Sequence, residues 1–410
     1  MLRIMEEKEL INFVLPEKQP TIIKVVGVGG GGGNAVNHMF NEGIRDVSYL
    51  ICNTDQQVLL TSPIPDKLQL GPETTHGLGA GNKPAVAKQA AEESEEDIRR
   101  ALGDSTKMVF ITAGMGGGTG TGAAPVIAKI SRSMDILTVG IVTIPFSWEG
   151  AVKINQAMDG VDAISKEVDA LLVINNDLLS TIYPDMTVMN GFKKADDTLC
   201  TAAKSIAEII TIPGYINLDF ADVKTVLKDG GVAVMSAGKA KGKNRVIDAM
   251  NEALRSPLLN NNDVFQASKI LFNISCGTGK HELVLEETQQ INKFMEQFED
   301  RVQVVIWGIS IDESLGEELK VTLLASGFGV NDVPAMKQYH QQEENKNQAE
   351  QEETRIRRDN QIRSYYGKAG VPPRRFYCTP FVMSEEDLNN DALIERLSEE
   401  PANQRTKNME

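Results

Sequence analysis

Residues 113–125 form a glycine-rich stretch, Ala-Gly-Met-Gly-Gly-Gly-Thr-Gly-Thr-Gly-Ala-Ala-Pro, whose backbone could bind an anion. The preceding run, Met108–Thr112, is apolar and predicts a buried strand, and Val126–Ile130 predicts a helix with Thr121 as its cap and Pro125 in its first turn. Such a turn directs backbone N–H groups and the positive end of a helix dipole at one point, and glycine removes the Cβ atoms that would keep a phosphate away. The stretch lacks the Gly-Lys-Ser/Thr ending of a Walker A loop, so backbone dipoles, threonine hydroxyls and a divalent cation would have to meet the phosphate charge.

A second strand–glycine–helix unit lies near the N-terminus, at residues 21–40. Taken alone, Gly27, Gly29 and Gly32, with Asp55 about 20 residues further on, match the dinucleotide-binding fingerprint, so a Rossmann NAD-dependent oxidoreductase is one alternative. That alternative does not explain the richer glycine stretch later in the chain. Two phosphate-binding turns on neighbouring strands favour one nucleoside triphosphate.

Further polar loops lie in this half, two of them directly after predicted strands. They are 53–55 after strand 47–52, 77–82 before a helical run at 85–102, and 175–177 after strand 170–174. The carboxyl ends of parallel strands meet at one edge of a sheet, where ligands bind. Each loop could also be a simple turn, and the residues alone leave both interpretations open.

A pair of carboxylates, Asp219 and Asp222, lies about one helical turn apart where a new helix begins after Asn217. Both could therefore act on one point, such as a water molecule. Acidic residues at a helix start are more often caps that favour the helix dipole, so this interpretation also stays open.

The elements that must position these residues alternate between strand and helix, which predicts an α/β fold. We expect a Rossmann-like parallel-sheet domain, a long central helix from about Phe192 to Ile210, and a second α/β domain with a mixed sheet. The predicted boundaries are an N-terminal extension at 1–20, a nucleotide-binding domain at 21–190, the central helix and following loop at 191–222, a C-terminal α/β domain at 223–334, a disordered linker at 335–375, and a tail at 376–410 that contains a candidate amphipathic helix at 384–397.

Composition narrows the function. The net charge is −15, which argues against direct binding to nucleic acid or to anionic lipid. The cysteines Cys52, Cys200, Cys276 and Cys378 are far apart, so the sequence predicts neither a disulfide framework nor a metal site, and we expect a cytoplasmic protein. No run approaches the roughly 20 apolar residues of a membrane span, so we expect no direct membrane insertion.

The stretch Gly116–Gly122 resembles the signature of the tubulin/FtsZ family of GTPases, and the resemblance extends from about Ile22 to about Val333. It implies binding of GTP and GDP, with Mg²⁺ held mainly through the nucleotide. By this resemblance Glu149 contacts the ribose, and Lys153 stands where relatives commonly have an arginine, which keeps the charge but loses the planar fork. The other residues that the resemblance assigns to the nucleotide are Gly30, Gly31, Gly32, Gly33, Asn34, Asn53, Asp55, Gly79, Ala80, Gly114, Gly116, Gly117, Gly118, Thr119, Gly120 and Thr121 around the phosphates and ribose, with Asn176 and Asp197 on the guanine edge and Phe192 against the base.

The resemblance also assigns a role to Asn217, Asp219 and Asp222, which match a loop that enters the nucleotide site of the next subunit. Asp219 and Asp222 would activate the attacking water, and Asn217 would support that geometry. The implied partners are further copies of the chain in a head-to-tail homopolymer and membrane-tethering division adaptors that bind the C-terminal tail, whose sequence lacks the usual apolar-Pro-x-apolar core. The implied location is the bacterial mid-cell. A filament GTPase for plasmid or DNA partition is the alternative within the family.

Overall fold

The computed structural model of the chain describes residues 21–44, 46–103, 105–212, 214–254, 264–296, 302–333, 336–337, 339–341 and 356. The predicted N-terminal extension, nearly all of the linker, and the tail with its candidate amphipathic helix lie outside these residues. The described residues from 21 to 341 belong to one compact unit. The division of the chain into domains stays a prediction.

A single mixed sheet of eleven strands runs through this unit, in the order β3-β2-β1-β4-β5-β6-β8-β11-β9-β10-β7. All pairs from β3 to β8 are parallel, and antiparallel pairs join β8 to β11, β11 to β9, and β10 to β7. The α/β fold with a mixed sheet toward the C-terminus is thus confirmed. The strands are β1 (Ile23–Val28), β2 (Val47–Asn53), β3 (Lys67–Gln69), β4 (Met108–Gly114), β5 (Leu137–Ile144), β6 (Ala170–Asn175), β7 (Gly214–Ile216), β8 (Gly231–Ala240), β9 (Lys269–Cys276), β10 (Val304–Ile311) and β11 (Leu319–Phe328).

Helices cover the sheet and separate the parallel strands. The α-helices are α1 (Gly29–Asn41), α2 (Gln56–Thr61), α3 (Pro72–Thr75), α4 (Pro84–Glu93), α5 (Glu95–Leu102), α6 (Gly118–Ser133), α7 (Ala151–Ser165), α8 (Asn176–Ile182), α9 (Val188–Thr211), α10 (Phe220–Leu227), α11 (Arg245–Leu254) and α12 (Leu285–Met295). Because β4 and β5 are buried on both faces, their sequences are mostly apolar and do not alternate between apolar and polar residues.

The helix starts differ from the sequence predictions at both glycine stretches. α6 begins at Gly118, so Thr121 is not its cap and Pro125 lies inside the helix. In the same way α1 begins at Gly29 rather than after Asn34. These helices start early because glycine is tolerated in a first turn, where the backbone N–H groups have no intrahelical partner in any case.

The predicted long helix at 85–102 is also divided, into α4 and α5, at Ser94. The Ser94 side chain is buried and its hydroxyl accepts a hydrogen bond from the Gly71 backbone N–H at 2.9 Å. Because its hydroxyl is used in this contact, Ser94 does not keep helical geometry. The contact joins residues far apart in the sequence, so the spacing of apolar residues could not predict it.

A buried carboxylate, Asp169, fastens the parallel half of the sheet to the antiparallel half. The two halves meet where β6 pairs with β8 over only two residue pairs. There Asp169 Oδ2 accepts from the Thr138 backbone N–H at 2.9 Å, while Oδ1 lies 3.3 Å from Lys228 Nζ and 3.5 Å from Arg132 Nε. Since Lys228 directly follows α10, this cluster holds the C-terminal end of that helix.

Replacing Asp169 with Ala should lower the free energy of unfolding by on the order of 3 kcal/mol, because it leaves a buried N–H and two cations without their shared acceptor. Equilibrium denaturation in urea measures this loss. Asp229→Ala is the matched control, since Asp229 also pairs with Arg132 but is exposed, and exposed pairs contribute less than about 1 kcal/mol. Equal losses in both variants would contradict the assignment.

Candidate nucleotide-binding site

Two uncapped helix starts lie side by side at the carboxyl edge of the sheet. β1 and β4 are parallel neighbours, and α1 and α6 follow them directly. Neither helix has a side-chain cap or an acidic residue in its first turn. The positive ends of both helix dipoles are therefore open to an anion.

The glycines permit this arrangement because the two backbones almost touch. A Cβ atom on Gly32 would lie 2.2 Å from the Thr112 carbonyl oxygen, and one on Gly120 would lie 2.5 Å from the Gly114 carbonyl oxygen. Gly29, with φ of +73°, would place a Cβ atom 2.9 Å from the Gly120 nitrogen. At these positions glycine serves packing, which alone would explain it without a ligand.

The loops after β2 and before α4 close around the start of α6. The hydroxyls of Thr54 and Thr119 are 2.8 Å apart, and the Gly79 N–H donates to the Thr54 carbonyl at 3.2 Å. A Cβ atom on Gly118 would approach Ala80 to 3.0 Å. The structure thus brings the two glycine stretches and the loops 53–55 and 77–82 together. The residues that the resemblance assigns to the phosphates and ribose in these segments are Gly30, Gly31, Gly32, Gly33, Asn34, Asn53, Asp55, Gly79, Ala80, Gly114, Gly116, Gly117, Gly118, Thr119, Gly120 and Thr121.

Several of these side chains also have structural uses. Asp55 caps α2 by accepting from the backbone N–H groups of Gln57 at 2.9 Å and Val58 at 3.4 Å. Asn53 Oδ1 accepts from the Asp55 N–H at 3.2 Å. The Thr121 hydroxyl accepts from the Gly116 N–H at 2.9 Å, which shapes the turn itself.

On the other side of the glycine turn, Glu149 and Lys153 form an i,i+4 ion pair through Oε2 and Nζ. Glu149 Oε1 accepts from the Phe146 backbone N–H at 2.9 Å, so the carboxylate is held from both sides. One turn further along α7, Gln156 Nε2 donates to the Gly117 carbonyl at 3.0 Å. The sequence analysis missed Gln156, and its i,i+3 spacing from Lys153 was the available signal.

The residues that the resemblance assigns to the guanine base, Asn176, Phe192 and Asp197, lie on α8 and α9. Asn176 begins α8, is buried, and its Oδ1 has no hydrogen-bond partner among the described residues. The Phe192 ring lies edge-on to Phe146 and Trp148, with centroids 5.4 and 6.0 Å away. An amide oxygen without a partner can accept from the N–H donors of a base, and an aromatic ring can lie against the base plane.

Two adjacent carboxylates lie one turn further along α9. Asp197 Oδ1 is 2.9 Å from His38 Nε2, a histidine to which the sequence analysis assigned no role. Burial raises the pKa of Asp196 to about 6, and its neighbour Asp197 adds to the rise, whereas His38 opposes it. The structure therefore adds Asp196 to the candidates, since within the described residues no hydrogen bond to its carboxylate is found.

The predicted catalytic residues lie elsewhere. Asp219 caps α10 by accepting from the N–H groups of Ala221 at 2.7 Å and Asp222 at 3.0 Å, and Asp222 Oδ2 accepts from the Asp219 N–H at 3.0 Å. Asn217 Oδ1 accepts from the Gly214 N–H at 3.0 Å. This loop follows the far end of α9, and a helix rises about 1.5 Å per residue, so roughly 30 Å of helix separates it from Phe192. One chain does not bring the two groups of residues together.

Two known protein families match this chain, one over each of its halves. The family described as "Tubulin/FtsZ family, GTPase domain" matches residues 22–184, and that described as "FtsZ family, C-terminal domain" matches residues 231–329. The chain is 50% identical over 411 residues to the cell division protein FtsZ of Porphyromonas gingivalis, which covers 98% of this chain and 89% of that protein. It is 46% identical over 312 residues to the FtsZ of Pseudomonas aeruginosa, over 76% of this chain and 78% of that protein.

Solved structures also match this chain. An FtsZ dimer of M. jannaschii matches with a TM-score of 0.67 and 39% identity, covering 76% of this chain and 89% of that chain. CetZ1 from Haloferax volcanii matches with a TM-score of 0.66 at 22% identity, over 78% of this chain and 97% of that chain, which shows the shared fold alone.

Replacing Gly32 with Ala should lower the melting temperature of the nucleotide-free protein, because the new methyl group would overlap the Thr112 carbonyl. Gly30→Ala is the matched control, since a Cβ atom there has nothing within 4 Å. Differential scanning calorimetry should show that the free energy of unfolding falls by on the order of 2 kcal/mol in the first variant and changes little in the second. Equal melting temperatures would mean that α1 can move away from β4.

Proposed function

The chain belongs to the FtsZ branch of the tubulin/FtsZ family of GTPases, and from that membership we propose that its GTP site is completed by a second copy stacked head to tail. One observation carries the proposal. The residues assigned to GTP lie around the open starts of α1 and α6, at the start of α8 and in the first half of α9, whereas Asn217, Asp219 and Asp222 follow the far end of α9. A neighbouring subunit can supply that loop where the same chain cannot.

Each group has a task that its chemistry suits. The N–H groups of the two helix starts hold the phosphates, and the paired hydroxyls of Thr54 and Thr119 add further polar contacts at that edge. Asn176, with its unpartnered Oδ1, contacts the guanine edge, while Phe192 lies against the base. Asp219 and Asp222 of the neighbour orient and deprotonate the attacking water.

The divalent cation belongs mainly to the nucleotide. Within the described residues no group of three or more His, Cys, Asp or Glu side chains could hold a metal ion. The hydroxyls and amide oxygens near the phosphates suit Mg²⁺ as outer ligands, and the ion prefers to keep water and phosphate oxygens around it. It would neutralise charge on the phosphates.

Exposed apolar side chains at both ends support a stacking surface. Near the nucleotide edge Leu78 is 84% exposed and Met189 is 70% exposed, and beside the catalytic loop Tyr215 is 83% exposed. Apolar surface at both ends of one chain is consistent with burial between copies. A contact that joins different faces does not close on itself, so it builds a filament.

We further propose that these filaments form the cytokinetic ring at the bacterial division site, since the relatives are named as cell division proteins. Membrane-tethering adaptors that bind the tail would attach them to the membrane. Within the part of the chain that the structure describes, no helix could span a membrane. We do not favour the alternatives of plasmid partition and NAD-dependent oxidation, because the relatives are division proteins and the family match is to a GTPase domain.

Phosphate release from GTP, measured with Mg²⁺ across a series of protein concentrations, tests the shared site. Activity per molecule should rise from near zero above a threshold concentration, because only stacked copies contain a whole site. Binding of GDP, which needs one chain only, should be independent of concentration. A specific activity that stays flat down to dilutions without filaments would contradict the proposal.

The variant Asp222→Asn separates catalysis from helix capping, because an asparagine oxygen can still accept from the Asp219 N–H. We expect normal stability and GTP binding, normal filaments, and hydrolysis slowed by about 100-fold or more. Mixing it with Asn176→Leu, which should lose GTP, should restore part of the activity at interfaces that pair the two intact halves. Full activity of Asp222→Asn alone would assign Asp222 to the cap only.

A further inference from the structure

An imidazole in the last turn of α1 contacts the acidic pair on α9. His38 Nε2 lies 2.9 Å from Asp197 Oδ1, and Lys194 Nζ lies 3.9 Å from Asp197 Oδ2. The histidine side chain is partly buried, with 35% of its surface exposed. None of the functions considered above uses this contact.

The contact joins the two ends of the proposed nucleotide site. α1 starts at the glycines of the phosphate end, and Asn34 and His38 lie four residues apart on one face of it. On α9, Phe192 lies one turn before the acidic pair. α1 and α9 pack against each other, so His38 and this pair face the same space.

On the basis of the proposed guanine-nucleotide site, we propose that His38 is a positioning residue, which holds Asp196 and Asp197 as oriented carboxylates for the guanine base. Guanine presents N1–H and a 2-amino group on one edge, and a carboxylate accepts from both at once, whereas a protonated carboxyl group does not. An imidazole beside the pair supplies a donor for Asp197 and, when protonated, a positive charge for both carboxylates.

The charges around the histidine make this effect depend on pH. The pKa of Asp196, about 6 through burial, is lowered by the positive charge of His38 and raised by Asp197. Removing the imidazole charge should therefore move protonation of Asp196 to a higher pH. The other titratable or charged groups nearby are Lys194 and Cys200 from α9, Glu42 beyond the end of α1 and, from β2, Tyr49, whose pKa burial raises to about 12 so that it stays neutral.

The test compares His38→Ala and His38→Gln with wild type, using the affinities for GTP and for inosine triphosphate, which lacks the 2-amino group, between pH 5.5 and 8. At pH 7.5, His38→Ala should bind GTP about tenfold more weakly and should lose preference over inosine triphosphate, whereas His38→Gln, which keeps a donor, should stay within about threefold. In both variants the pH at which GTP affinity falls to half should move upward, because both lack the positive imidazole charge that lowers the pKa of Asp196.

His281→Ala is the control, since His281 lies near α12, away from the nucleotide edge, and should match wild type. Unchanged preference and an unchanged pH profile in His38→Ala would overturn the role of His38. If His38→Ala does not fold, the pH profile of His38→Gln decides, and an unshifted profile overturns the proposal. If wild type itself prefers neither GTP over inosine triphosphate nor GTP over ATP, the proposed function fails instead.

Discussion

The site depends on one close backbone contact, in which the first turn of α1 packs against the end of β4 with no side chain between them. A methyl group at Gly32 would stand 2.2 Å from a carbonyl oxygen, so the chain has no room for a side chain there. This closeness sets two helix dipoles next to each other, and their combined field attracts several phosphate charges without a lysine. Close packing and phosphate binding therefore require the same glycines.

The central helix α9 carries the second constraint. A straight helix of 24 residues is rigid over about 36 Å. Phe192 and the acidic pair lie near its start, and the loop with Asp219 follows its end, so no side-chain movement within one chain could unite them. In the proposed function hydrolysis is therefore tied to assembly, since the carboxylates assigned to catalysis can reach the nucleotide only from another copy. The buried Asp169 cluster at the end of α10 keeps that loop in a fixed place relative to the sheet.

Much of this could be predicted from the sequence, because strand–glycine–helix units are local patterns. The α/β fold followed from strand periodicity, and the meeting of both glycine stretches with the loop at 53–55 followed from the geometry of parallel strands. The place of the loop at 77–82 did not, because no predicted strand precedes it. The helix starts at Gly29 and Gly118 did not, since intrinsic propensity disfavours glycine in helices and cannot weigh an open first turn. The break at Ser94 and the contact between His38 and Asp197 depend on residues 23 and 159 positions away, which no local pattern reports.

The capping box at the start of α10 shows why structural and catalytic interpretations of a residue can both be right. The box uses Asp219 Oδ1 and Asp222 Oδ2. Asp219 Oδ2 and Asp222 Oδ1 lie outside it, so the carboxylates keep oxygens that can face a neighbouring subunit. The backbone bonds fix both side chains before any partner arrives, and a fixed carboxylate needs little reorganisation to orient a water molecule. A helix cap can thus preorganise the loop for the catalytic role proposed for it. Asparagine rather than alanine separates the two uses, because it removes the charge and keeps the hydrogen bond.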